Sequence, residues 1–211
     1  MKPRNKWPGA VLGLALLAAG CGPIVELPGG GPAPDLYSLS RATTAGQAQA
    51  ATPLRLMIDE IAAAPDLATD RIARREGGIS VNYSAGARWS DPIGRLIRDR
   101  LVESFENVAG VTALSRDVID VSPDYRLKLR LRDFNAAADT GAPNVALRFT
   151  ALIISASGPN IVAQRQFSYQ ERAAADNAAK VVASLDSLFA QASQDLMRWT
   201  LSEVASQAEG S

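Results

Sequence analysis

The side chains that could do chemistry in this chain are limited in type. Its 211 residues include 22 basic and 22 acidic side chains, one cysteine and no histidine. Without histidine, a Ser-His or Cys-His nucleophile pair cannot form and no imidazole can bind a metal ion. A single cysteine forms neither an internal disulfide nor a thiolate metal cluster. We therefore expect no metal site and no cofactor, and any catalysis would have to rest on carboxylates, lysine, tyrosine or serine. The zero formal charge also argues against a nucleic-acid partner.

Carboxylate chemistry remains formally open at one charged cluster. Paired carboxylates can act as general acid and base. Charged loops of mixed sign are more often solvated ion pairs, and we expect ion pairs here. The cluster consists of Asp66, Asp70, Arg71, Arg74, Arg75 and Glu76.

Cys21 is the lipid-anchor candidate. Three basic residues precede a charge-free apolar stretch, residues 10–19, which at about 1.5 Å per residue is too short to cross a bilayer and is typical of a signal peptide. Leu17-Ala18-Ala19-Gly20-Cys21 resembles a bacterial lipobox, in which the cysteine receives a diacylglycerol and an acyl chain. The alternative is an ordinary secretory signal with a chance cysteine.

Residues 21–34 form a Gly/Pro-rich tether, which cannot hold a helix or a central strand. We place the signal peptide at 1–20, the folded domain at 35–205 and a disordered tail at 206–211. Gly22 follows the cysteine where an aspartate commonly retains enteric lipoproteins in the inner membrane, so the outer membrane is favoured. Removal of three basic residues with the signal leaves 19 basic and 22 acidic residues, a net charge of −3.

Four cations alternate with leucines along one predicted strand, and we call them the basic row. This pattern predicts leucines on one face of a sheet and cations on the other. The cations could face lipid headgroups or an acidic partner, or they could be a solvated sheet face. Arg148 on the next strand could join them. The basic row consists of Arg126, Lys128, Arg130 and Arg132.

Arg88 and Trp89 are the second contact candidate. They precede a predicted helix start, Ser90-Asp91-Pro92, among small residues. Tryptophan and arginine are enriched in binding hot spots. The alternative is structural, with Trp89 filling the junction between helix and sheet and Arg88 paired with a nearby carboxylate.

The elements that must position these residues can be predicted from periodicity. Helical spacing of apolar residues predicts one helix after Pro92 and another from 176 to 205. Gly77-Gly78 between two short strand-like runs predicts a hairpin, and residues 41–52 are expected to be a loop. Strands are predicted at residues 36–40, 54–61, 71–75, 79–83, 125–134, 145–155 and 161–169. We predict an α+β fold of one domain, a mainly antiparallel sheet with two long helices packed on one face.

Several segments resemble the ABC-type transport auxiliary lipoprotein family, and the resemblance covers about residues 36–203. Its most specific part is Tyr83 to Pro92. The other matching segments are Asp70-Arg71-Ile72, Arg98-Asp99-Arg100-Leu101 with Phe105, Asp124-Tyr125-Arg126-Leu127, Arg132-Asp133-Phe134, and a C-terminal helix ending near Trp199.

The resemblance implies a non-enzymatic, membrane-anchored subunit in the periplasm. Its partners would be an MCE-domain protein, which binds substrate, and an ABC permease and ATPase that together move lipids or other hydrophobic molecules. The oligomeric state stays open, a homo-oligomer included. The alternative function is a general envelope lipoprotein, such as an activator of peptidoglycan synthesis or an outer-membrane assembly factor.

Overall fold

The computed structural model describes residues 32–41, 49–115, 121–137, 141–158 and 160–209. The folded unit runs from Pro34 to Ser211. Cys21, the signal peptide and residues 22–31 of the tether lie outside the described residues, so the predictions for them stay predictions.

The described residues contain nine strands and two helices. A short 3₁₀ turn, Pro65–Leu67, follows the third strand. The order is β1 (Asp35–Tyr37), β2 (Gln49–Ile58), β3 (Ala62–Ala63), β4 (Arg71–Glu76), β5 (Ser80–Trp89), α1 (Ile93–Glu106), β6 (Ala109–Leu114), β7 (Tyr125–Ala137), β8 (Asn144–Ser155), β9 (Ile161–Arg172) and α2 (Ala178–Glu209).

β7 is the central strand of a single sheet. One of its edges pairs along most of its length with β8, which in turn pairs with β9, so these three strands form the predicted antiparallel meander. The other edge of β7 pairs in succession with β2, β3 and β4, all of them parallel to it. β6 extends the sheet beyond β2, and β5 and β1 extend it beyond β4.

The prediction of a mainly antiparallel sheet is wrong. Among the described residues, five of the eight strand pairings are parallel, and the sheet is mixed. The antiparallel hairpins join neighbours in the sequence, so turn residues reveal them. The parallel pairs join strands that are distant in the sequence, and a local pattern carries no sign of them.

Both helices pack against the same face of the sheet. The apolar alternation of β7 places Leu129 and Leu131 on this face. They line one small apolar cavity with residues of α1 and α2, which include Ile97, Leu101, Phe189 and Leu196. The opposite face of the meander is the open face, and it carries the basic row.

Three predicted boundaries differ from the structure. β2 begins at Gln49, inside the predicted loop, and β5 continues to Trp89. α2 continues to Glu209, so residues 206–209 are helical and do not belong to a disordered tail. Before α1, neither Ser90 nor Asp91 caps the helix through its side chain, and the Ile93 N–H donates instead to the Thr69 carbonyl at 3.2 Å.

Candidate functional site

The alternation along β7 presents the basic row on the open face of the sheet. Leu127 and Leu129, between its members, are 0% and 3% exposed, whereas Lys128 and Arg130 are exposed. The predicted separation of leucines and cations is therefore confirmed. Arg126, Lys128 and Arg130 are two residues apart in a regular part of the strand, so their side chains are spaced by about 7 Å. The register with β8 shifts between Leu131 and Asp133, at Arg132.

Asp59 partly neutralises the first half of the basic row. It follows β2, its backbone N–H donates to the Leu127 carbonyl at 3.0 Å, and its side chain is buried. Arg126 Nη2 donates to Asp59 Oδ1 at 2.7 Å, and Lys128 Nζ lies 3.7 Å from Asp59 Oδ2. One buried carboxylate thus faces two cations, which leaves this half of the row with a surplus positive charge.

Arg130 and Arg132 form the second half of the basic row, and both are exposed. Within the described residues, neither guanidinium has an acidic partner. The nearby Asp133 is instead bound by Arg148, whose Nε donates to Asp133 Oδ2 at 2.6 Å, and Arg75 lies 3.9 Å from its other oxygen. Arg148 therefore belongs to an ion pair, whereas Arg130 and Arg132 face solvent without a neutralising acid among the described residues.

A groove of about 580 Å³ lies beside the first half of the basic row. Arg126 and Lys128 contribute its charged side, and β8 contributes Ile154 and Ser155. Ser155 Oγ lies 2.8 Å from Ser157 Oγ. The groove therefore combines cations, hydroxyl groups and apolar surface at one end of the open face.

Trp89 is part of the hydrophobic core. It is 2% exposed, and its ring lies 5.5 Å from that of Phe134 on β7. Its backbone N–H donates to the Asp70 carbonyl at 2.7 Å. This geometry matches the structural alternative for Trp89, and a direct partner contact through its side chain would require the domain to open.

Arg88 points away from the core and pairs with a carboxylate. Its Nη1 lies 3.1 Å from Asp70 Oδ2, with side-chain exposures of 48% and 37%. The hydrogen bond from Arg88 lowers the pKa of Asp70 below its ordinary range. Arg88 is in register with Leu36 of β1 and Arg71 of β4, and we call these three residues the Arg88 row. Since Leu36 is 67% exposed, the row offers both charge and apolar surface.

The charged cluster at 66–76 is a set of ion pairs that join separate parts of the fold. Arg75 pairs with Asp66 at 2.7 Å, and Arg74 pairs with Asp176, just before α2, at 2.7 Å. The Arg71 guanidinium lies 3.9 Å from the centre of the Tyr83 ring. Asp66 and Asp70 therefore contact guanidinium groups, as expected for a structural cluster, whereas Glu76 accepts a hydrogen bond from the Asn82 side chain.

Sequence reasoning missed two polar contacts between distant elements. Arg55 on β2 pairs with Asp124, just before β7, at 2.6 Å. The Tyr169 hydroxyl on β9 donates to Asp195 of α2 at 2.7 Å, and burial raises the pKa of Tyr169. The alternation of β9 places Tyr169 on the helix side, but periodicity does not identify a partner on a helix.

The described residues contain no group of three or more His, Cys, Asp or Glu side chains placed to hold a metal ion. Neither helix in this part of the chain combines the length and apolar character that a membrane span needs.

Comparison with known proteins adds a family match that covers most of the folded unit. Residues 37–197 match the model of a family described as ABC-type transport auxiliary lipoprotein component. An uncharacterised protein of Bradyrhizobium diazoefficiens is 31% identical over 174 residues, which are 82% of this chain and 47% of that protein. The chain thus spans about half the length of this curated relative.

Two solved structures show the same fold. A crystal structure of a protein from Xanthomonas campestris matches with a TM-score of 0.75 and 23% identity, covering 83% of this chain and 99% of the other. A second, of an uncharacterised protein, matches with a TM-score of 0.64 and 16% identity, covering 80% and 99%. At these identities the likeness concerns the fold alone.

Proposed function

Because the chain belongs to the ABC-type transport auxiliary lipoprotein family, we propose that it is a docking subunit of an MCE-type ABC transport system. In this role it is anchored to a membrane through a diacylglycerol and an acyl chain on Cys21 and faces the periplasm. Its partners are the MCE-domain protein and, through it, the permease and ATPase. The transported molecules are lipids or other hydrophobic compounds, and the protein binds its partner without catalysing a reaction.

The family match from residue 37 to residue 197 is the observation that carries this proposal. It spans the strands from β2 to β9, α1 and most of α2, so most of the folded unit belongs to the family. The geometry is consistent with a binding role. In the charged cluster, the carboxylates of Asp66 and Asp70 contact arginines, which is unlike a general acid or base poised for proton transfer.

We place the contact with the MCE-domain protein on the Arg88 row. Arg88 and Leu36 lie side by side on β5 and β1 and are both exposed, so a partner can bury an arginine and a leucine together. Arginine in a partly apolar surround is a common feature of interface hot spots. Trp89 supports this surface from beneath, as a core residue.

Capture of the co-encoded MCE-domain protein by the full chain tests the role and the surface separately. Arg88→Ala should weaken capture about tenfold, the loss typical of a hot-spot residue. Arg198→Ala is the matched control, because it removes another exposed, ion-paired arginine, from α2. The control should leave capture unchanged.

An error in the proposed contact surface and an error in the proposed docking role would give different results. Undiminished capture by Arg88→Ala would exclude the Arg88 row while leaving the docking role intact. No capture by the unaltered chain, together with a gene neighbourhood that lacks a permease, an ATPase and an MCE gene, would contradict the transport role itself.

The Gly22 position favours the periplasmic face of the outer membrane over the inner membrane. In this arrangement the anchor holds the domain at one membrane while the transporter resides in the other. Separation of the two membranes by density, followed by detection of the protein, tests this placement. Recovery of the protein in the inner-membrane fraction would contradict the outer-membrane placement.

A further inference from the structure

The open face of the β7–β8–β9 meander has a surplus of positive charge that no partner within the described residues balances. Arg130 and Arg132 are exposed without an acidic contact, and Asp59 is shared between Arg126 and Lys128. Exposed cations on a solvated face are common by themselves. The surroundings of these cations distinguish this face.

On β8 and β9, the register neighbours of Lys128 and Arg130 are uncharged, and next to Arg132 the charges of Arg148 and Asp133 are paired with each other. Arg130 is in register with Thr150 of β8, which is in register with Gln166 of β9. Lys128 is likewise in register with Leu152, and Leu152 with Gln164. On β9, the open-face positions from Gln164 to Gln170 carry amides and a hydroxyl and no carboxylate. An anionic surface that approaches this face would therefore meet no repelling acid on β9.

Apolar side chains are exposed at one end of the same face. Ile161 at the start of β9 is 59% exposed and pairs in register with Ile154 of β8. Ile154 in turn pairs with Arg126, the first member of the basic row. Val121, shortly before β7, is 38% exposed at this end of the sheet. The face thus passes from apolar residues to cations along the strand direction.

We propose that this open face binds directly to an anionic phospholipid bilayer. Ile161 and its apolar neighbours enter the boundary between headgroups and acyl chains, and the basic row contacts lipid phosphates. Cations near an anionic membrane and buried apolar area contribute independently to interfacial binding. This second membrane contact goes beyond docking to a transport partner and does not rest on it.

A bilayer fits this face better than an acidic protein does. Lipid phosphates are mobile in the plane of the membrane, so they can meet a linear row of cations without a complementary shape. The exposed isoleucine beside the cations would be a cost against a hydrated acidic protein surface, whereas it gains free energy on entering the membrane interface. Binding of an acidic protein is therefore the competing outcome of the test.

The experiment uses the full chain, anchored in vesicles and carrying a polarity-sensitive thiol dye on Ile161→Cys. The unaltered chain gives the background from any dye on Cys21. In vesicles of phosphatidylcholine mixed with phosphatidylglycerol, the emission should shift to the blue and an aqueous quencher should lose access to the dye. In phosphatidylcholine alone, the dye should stay exposed. The same dye on Ala183→Cys, an exposed position of α2, should report water in both vesicles.

Charge removal then separates headgroup binding from simple apolar contact. Arg130→Gln/Arg132→Gln should lower the ratio of docked to undocked domain about thirtyfold, from about 1 kcal/mol per cation near an anionic surface. Lys180→Gln/Arg198→Gln removes the same charge from α2 and should leave the ratio unchanged.

Three results would overturn the proposal. The first is a dye at position 161 that stays quenchable in anionic vesicles. The second is an equal blue shift in neutral vesicles, which would show that the cations play no part. The third is protection of the dye by the MCE-domain protein in neutral vesicles without any protection by anionic lipid, which would assign the face to a protein partner.

Discussion

Asp59 holds Arg126 in place: its buried carboxylate, 4% exposed, accepts a hydrogen bond from Arg126 Nη2 at 2.7 Å. The two residues lie 67 positions apart in the chain and meet because β2 runs parallel to β7. The pair therefore joins the open face of the central strand to the chain that leaves β2. It also fixes which cations of the basic row remain free, namely Arg130 and Arg132.

The two partners of this pair should differ in their effect on stability. Arg126→Gln leaves a buried carboxylate with only the weaker contact to Lys128, and should lower the free energy of unfolding by about 1–3 kcal/mol. Asp59→Asn leaves a guanidinium that water can reach, and should cost about 1 kcal/mol or less. Urea unfolding of both variants measures the difference, and Arg130→Gln is the control for loss of an unpaired arginine. A larger loss for Asp59→Asn than for Arg126→Gln would contradict this assignment.

Substitutions of the adjacent residues Arg88 and Trp89 should affect the stability of the fold to very different extents. Trp89→Ala empties a core site beside Phe134 and should cost about 3–5 kcal/mol of unfolding free energy. Arg88→Ala removes an ion pair that water reaches and should change it by less than about 1 kcal/mol. Thermal or urea unfolding measures both. Equal losses for the two variants would mean that the Arg88–Asp70 pair has a structural role beyond its exposed geometry.

The pH dependence of stability should follow the contact between Arg55 and Asp124. The hydrogen bond from Arg55 lowers the pKa of Asp124 below its ordinary value. A carboxyl whose pKa is depressed by folding stabilises the native state above its unfolded pKa, about 4, and this contribution is lost as pH falls through the lower folded pKa. Stability should thus decline on acidification below about pH 4. Asp124→Asn should make that decline shallower.

Urea midpoints across the acid range, together with an NMR titration of the Asp124 carboxyl, measure this effect. Asp99→Asn is the control, because its carboxylate contacts the adjacent Arg98 and joins no separate strands. An unchanged acid dependence in Asp124→Asn would show that other carboxyls carry it.

Cys21 is expected to determine where the protein resides. Cys21→Ser removes the acceptor for the lipid and should move the protein out of the detergent-requiring membrane fraction. Incorporation of labelled palmitate into the unaltered chain, with none in Cys21→Ser, measures the modification directly. Equal label in both chains would contradict anchoring at Cys21.

The sequence by itself determined the local elements and their faces. The two-residue alternation from Tyr125 onward identified β7 and assigned leucines to the core and cations to the open face. The Gly77-Gly78 pair identified the β4–β5 hairpin, and both glycines have positive φ, at 58° and 73°. These features depend on neighbours within a few residues, so they can be read from a single chain. The lipobox and the resemblance around Tyr83 to Pro92 are local as well, and the family match confirms the family.

Only the tertiary structure decided the parallel half of the sheet and the partners of the charged residues. β2, β3 and β4 align along one edge of β7, which follows them much later in the sequence, and nothing in their own residues specifies that edge. Asp59 reaches the basic row from the end of β2, not from a matching position on β8 or β9. Asp133, which lies on β7 itself, pairs instead with Arg148. Burial of Trp89 depends on Phe134, 45 residues away, coming to lie against it. Contacts between distant residues are set by packing of the whole domain, and so they appear only once the chain is folded.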